Sequence, residues 1–185
     1  MSAQAFDGAT NGTTTRVELN VRKAYKMYVG GAFVRSESGR YFQVLETPTS
    51  SAKENIPLGS RKDVRDAVVV ARSAWSGWAG RTAFNRAQIL YRLGEMVDAR
   101  SGELVQALER SGLDRHAAAH EVATTVDRII SYAGWADKYQ SLFSSLNPVG
   151  GPHFNFSTPE SMGVVGVVAP KRPALLGLAT AILPI

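Results

Sequence analysis

His116 and His120 stand four residues apart, with Glu121 beside the second. On a helix that spacing puts both imidazoles on one face, where a metal could be held. A catalytic zinc helix needs His-Glu-x-x-His and a third ligand; here the Glu follows the second His, and the pair reads as an exposed helix face. Gly163-Val-Val-Gly166-Val-Val-Ala169 has the rhythm of a phosphate-binding glycine loop. Its glycines fall within a β-branched run rather than after it, where a dinucleotide turn would put them, so it reads as a strand with close backbone packing. Lys171 and Arg172 follow Pro170 at the end of that run. Open α/β sheets place ligands at strand ends, which leaves two readings of the basic pair, a site for an anion or nucleotide phosphate and a solvated turn. None of the three histidines sits in a Ser-His-Asp arrangement. The 185 residues hold no cysteine, which excludes a thiol nucleophile, a disulfide framework and a thiolate metal site within them.

The elements that must position these groups follow from local patterns. Residues 1–25 are poor in large apolar groups and read as a flexible tail. Residues 27–35 and 40–45 are two β-prone runs separated by Ser36 to Gly39; they read as a hairpin or strand pair, with Gly30 and Gly31 allowing a tight bend. Ser60 followed by Asp63 predicts a helix start, and Val64, Val68, Ala71, Trp75 and Trp78 form its apolar stripe up to Gly80. A second helix is expected after Thr82, with an interruption at Ser101-Gly102 and a stop at Gly112. From about 116 to 139, Val122, Val126, Ile129, Ala133 and Ala136 share one face, with Glu121, Arg128 and Asp137 off it. Residues 147–159 are loop-like around a short alternating His153-Phe-Asn-Phe156. The run 163–170 suits a strand buried on both faces of a parallel sheet, and 175–185 opens the helix after it.

The length fits one domain, or one and a fragment. With 44% hydrophobic and 20% charged residues, the composition supports a core and argues against a mostly disordered chain. The formal charge of +5 comes from basic residues interspersed with acids, which favours solubility and gives no stripe for nucleic acid. Trp75, Trp78 and Trp135 fall on helical faces as core or interface groups, not base-stacking platforms. Residues 1–15 are small and polar, without a basic-then-apolar leader, which points to the cytoplasm. The longest apolar stretch, 174–185, is short of the roughly 18 residues of a membrane span. An unpaired strand and an uncapped apolar end would expose a large greasy patch, so the sequence reads as the front part of something larger, associating through 174–185 into a homo- or hetero-oligomer.

From Met27 onward the order of motifs resembles the N-terminal portion of the aldehyde dehydrogenase superfamily. The likeness lies in Met27-Tyr-Val-Gly-Gly-Ala-Phe-Val, in Asp63-Val-Arg-Asp-Ala-Val-Val-Val-Ala-Arg-Ser-Ala-Trp, in Asn85-Arg-Ala-Gln-Ile-Leu-Tyr-Arg-Leu, in Tyr132-Ala-Gly-Trp-Ala-Asp-Lys-Tyr and in Pro159-Glu-Ser-Met-Gly-Val-Val-Gly-Val-Val-Ala-Pro. The resemblance implies an α/β fold in which helices lead into the start of a Rossmann-like parallel sheet. Residues 26–185 would be the N-terminal part of an NAD(P)-binding domain, with part of an oligomerisation hairpin at about 140–162. It implies NAD- or NADP-dependent oxidation of an aldehyde to a carboxylic acid, with the backbone of Val168, Ala169, Pro170 and Lys171 as a cofactor-contacting edge. The family's nucleophilic Cys, general-base Glu and glycine-rich cofactor turn come later than these residues, so the chain is expected to be inactive by itself. The alternative is a non-catalytic dehydrogenase-like module that assembles with a fuller paralogue or another enzyme. One departure is local: the family usually reads Ala-Pro-Trp-Asn, its Asn donating to the developing oxyanion, whereas this chain reads Ala169-Pro-Lys-Arg172. Arg172 thus takes the Asn position, with a size and fork geometry unlike a carboxamide, and the role is not transferred.

Overall fold

The computed structural model describes residues 24–45 and 53–185. The tail expected over 1–25 lies outside the described residues apart from Ala24 and Tyr25, which meet Asn55 through a parallel bridge and a 3.0 Å backbone hydrogen bond respectively.

Strands β1 (Met27–Val29) and β2 (Ala32–Val34) form an antiparallel hairpin. Its two-residue turn is Gly30-Gly31 with φ of 62° and 81°, a conformation that disfavours any side chain and matches the strand twist. The next run, β3 (Tyr41–Leu45), pairs not with this hairpin but with β4 (Lys53–Pro57), in a register that sets Phe42 opposite Ile56. The expected pairing of the first two β-prone runs is therefore corrected: the glycine pair closes the first run on itself.

Helix α1 (Arg61–Ala79) starts as its sequence predicts. Ser60 Oγ accepts from the Asp63 amide and Asp63 accepts from the Ser60 amide, a reciprocal cap for two otherwise free donors. Asp63 also receives Ser36 Oγ at 2.7 Å and the Glu37 amide at 3.0 Å, which ties the segment after β2 to the helix start. These donors, the Ser60 amide foremost, hold the Asp63 carboxyl well below the usual carboxylate range. The apolar stripe of α1 is not covered: none of its residues is buried, and Trp75 and Trp78 are 43% and 37% exposed. Periodicity defines such a face but not what lies on it.

Helices α2 (Ala83–Ala99), α3 (Ser101–Arg110) and α4 (Arg115–Phe143) make the core. Thr82 caps α2 and Asp114 caps α4 through the Ala117 amide, which lowers the Asp114 pKa. Gly112, at φ 98°, closes α3 while its amide returns to Glu109 O. Helices α2 and α4 approach closely at Gly94, where a Cβ would stand 2.9 Å from Ile130 Cδ1. Ala87 and Leu90 of α2 are buried, as are Val122, Thr125, Ile129 and Ala133 of α4. Leu108, Ala118 and Val122 form a buried hydrophobic cluster, and Leu104, Val105, Leu113 and Leu175 pack onto it.

A short hairpin follows, β5 (Ser145–Leu146) with β6 (Phe156–Ser157), and the chain ends in α5 (Ala174–Ile182). Residues 163–170 form no strand; Val164, Val165 and Val167 are about 40% exposed and Val168 is 97% exposed. This corrects the expectation of a strand buried on both faces. A parallel strand is held by neighbours on either side, and the described strands form only three separate antiparallel pairs. Helices with short strands nevertheless make this a partial α/β fold.

Candidate functional site

The segment from Val168 to α5 gathers the residues the sequence singles out. Val168, Ala169, Pro170 and Lys171 run contiguously along the surface, all exposed. Pro170 lies against Gly177 of α5 so closely that a Cβ there would meet Pro170 Cγ at 2.5 Å. Arg172 does not extend freely. Its Nη2 donates to the carbonyl of Ser111 at 3.3 Å, at the C-terminal end of α3, where carbonyls lack helical partners and the helix dipole favours a cation.

Helix α5 begins with Pro173-Ala174, and its N-cap supplies no side-chain hydrogen bond. The acceptor comes from α4: Glu121 Oε1 receives the Leu175 amide at 2.7 Å and the Leu176 amide at 3.2 Å. Glu121 is buried, so its carboxylate needs these donors as much as the helix end needs an acceptor. The sequence reading put Glu121 off the buried face; the structure places it inside, with Thr125 Oγ1 donating to its carbonyl at 2.7 Å. The one trace of this in the sequence is Pro173, whose side chain cannot accept a hydrogen bond and so leaves the first α5 amides to another acceptor. The phosphate reading of the Lys171-Arg172 pair loses the helix end as a partner, because a carboxylate already fills it. His116 and His120 both lie exposed on α4, and among the described residues no group of three or more His, Cys, Asp or Glu could hold a metal ion.

Further back, Trp75 Nε1 donates to Ser161 Oγ at 3.0 Å, joining α1 to the approach of the valine run. No described helix is long and apolar enough to cross a membrane.

Comparison with known proteins gives this arrangement of helices and short strands a family. Residues 33–184 match the model of the aldehyde dehydrogenase family, and the chain belongs to that family. A mitochondrial benzaldehyde dehydrogenase of Antirrhinum majus is 32% identical over 150 residues, 78% of this chain and 27% of its own length. The crystal structure of a salicylaldehyde dehydrogenase from Pseudomonas putida G7 superposes with a TM-score of 0.81 over 87% of this chain and 33% of that one; at 16% identity this speaks for the fold. An NAD-dependent aldehyde dehydrogenase from Sinorhizobium meliloti is 26% identical, with a TM-score of 0.57 over 63% of this chain and 24% of its own. The chain spans about a third or less of the length of the curated relatives and solved chains it matches.

Proposed function

We propose that the chain forms the front portion of the NAD(P)-binding domain of a cytoplasmic aldehyde dehydrogenase, serving oxidation of an aldehyde to a carboxylic acid, and is inactive by itself. The observation that carries this reading is the open main chain of Val168, Ala169, Pro170 and Lys171, set against α5 by the Pro170–Gly177 contact. Those residues fit an edge contact to a nucleotide, with the Lys171 ammonium at its end. They do not make a phosphate cradle with α5, whose first free amides Glu121 occupies. Bound NAD(P) would supply the hydride acceptor; the residues of this chain would hold and orient it. The thiolate that attacks the aldehyde has to come from outside the 185 residues, since they contain no cysteine.

A second reading is a non-catalytic module that assembles with a fuller paralogue or another enzyme, as a homo- or hetero-oligomer through residues 174–185. It is favoured by the exposure of Leu178, Ile182 and Ile185, an apolar surface on and after α5 that a partner chain could cover. The purified chain, given NAD or NADP and a panel of aldehydes, is expected to form no reduced cofactor. Turnover would overturn the inactivity. Native mass spectrometry of the protein from its own host separates the two readings: a reactive cysteine on the same polypeptide, or on a partner that has no dehydrogenase front portion of its own, supports the first, and a partner that is a complete enzyme without this chain supports the second.

A further inference from the structure

We infer that Glu121 is a positioning residue for the Val168–Lys171 edge, acting from α4 through the first turn of α5. The inference rests on reading that edge as the cofactor contact. Glu121 is only 7% exposed, and among the described residues no salt bridge neutralises it. Its compensation is the pair of α5 amides, at the positive end of the helix dipole. The bond from Thr125 Oγ1 to the Glu121 carbonyl links it to the next turn of α4. From the seated helix the constraint runs backwards along the chain. The Gly177 amide donates to Pro173 O at 3.0 Å, and Gly177 itself receives the Pro170 ring. Pro170 therefore stands where α5 stands, and the three residues beside it follow. Arg172, bonded at an exposed 3.3 Å to Ser111 O, is a second and weaker tether. One consequence is exclusion: an anionic ligand at this edge must approach from a direction other than the α5 N-terminus.

The test is amide hydrogen exchange and chemical shift on the full 185-residue chain. In the wild type, the Leu175 and Leu176 amides are expected to exchange at least about tenfold more slowly than unprotected amides. Unprotected rates at both would overturn the proposal without any variant. Glu121→Leu is expected to remove that protection and to move the signals of residues 168–171, while Ala87 and Leu90 keep theirs. Glu121→Gln, which retains an acceptor oxygen, is expected to restore the 168–171 signals toward the wild type, which a role limited to carrying charge would not do. If Glu121→Leu fails to fold, the Gln variant and the wild-type rates decide. Titration with NAD separates this inference from the reading beneath it. Shifts at 168–171 that persist unchanged in Glu121→Leu would sink the positioning role and leave the cofactor edge. Protected Leu175 and Leu176, with 168–171 displaced in the variant but indifferent to NAD, would sink the edge and leave the positioning.

Discussion

The backbone amide of Leu175 meets Oε1 of Glu121 at 2.7 Å across 54 residues of sequence, so the last helix of the chain is capped by a carboxylate from the middle of α4. Removing that acceptor leaves two amides of a partly buried helix end without a partner. Glu121→Ala is therefore expected to lower the stability of the chain by about 1–3 kcal/mol in urea denaturation. A variant as stable as the wild type would mean that water reaches the α5 N-terminus freely.

Gly177 is required by the proline packed on it. A methyl group there would overlap the Pro170 ring, 2.5 Å from Cγ and 3.4 Å from Cδ, and a ring held in the main chain cannot swing aside as a lysine tip does. Gly177→Ala is expected to cost about 1–3 kcal/mol and to shift the amide signals of Val168, Ala169 and Lys171, with the side-chain signals of Pro170, more than the signals of α2. Unchanged signals at 168–171 would show that the edge moves independently of α5.

Asp63 makes the junction between the strands and α1 sensitive to acid. Its carboxyl accepts from the Ser60 and Glu37 amides and from Ser36 Oγ, and the folded pKa lies below the unfolded value of about 4. A group shifted this way stabilises fully above its unfolded pKa and loses that contribution as pH falls through and below it. The urea midpoint of the wild type should thus drop between pH 6 and pH 3 more steeply than that of Asp63→Asn, which starts lower at pH 6. Parallel pH profiles for the two proteins would show that Asp63 is not the group responsible.

The starts of the helices were legible in the sequence because a cap is a local device. Ser60 with Asp63, Thr82 and Asp114 each satisfy donors within three residues. Ser60 and Thr82 stand out in the sequence alone, whereas the apolar period of α4 becomes visible only from about 116, past its Asp114 cap. Gly30-Gly31 was legible as a bend for the same reason, but which strand β3 would choose was not, since pairing partners are set by packing elsewhere in the chain. Glu121 shows the limit from the other side. The helical period sets it off the apolar face, yet it is buried, with its oxygen on the amides of a helix 54 residues away. The candidate edge, Val168 to Lys171, was legible as a position through family likeness, yet the pattern that suggested burial describes a strand with neighbours. In the described residues those neighbours are lacking, and the valines remain exposed.

The same distinction predicts where the stability of the chain resides. Ile129 is 2% exposed between α4 and α2, whereas Val64 on the unburied face of α1 is 62% exposed, although both obey a helical apolar period. Ile129→Ala should cost about 2–5 kcal/mol, since the cavity it leaves among close-packed neighbours can collapse only partly. Val64→Ala should change stability by no more than about 0.5 kcal/mol, because it removes little from a packed environment. Urea titrations of the two variants at several protein concentrations check both values. A cost for Val64→Ala that grows with concentration would show that another molecule covers the α1 face in solution, and would place part of the core between chains. A small cost independent of concentration would leave the stability in the α2–α4 layer, with α1 tied to the rest of the chain through the Asp63 bonds to Ser36 and Glu37 and the Trp75–Ser161 hydrogen bond.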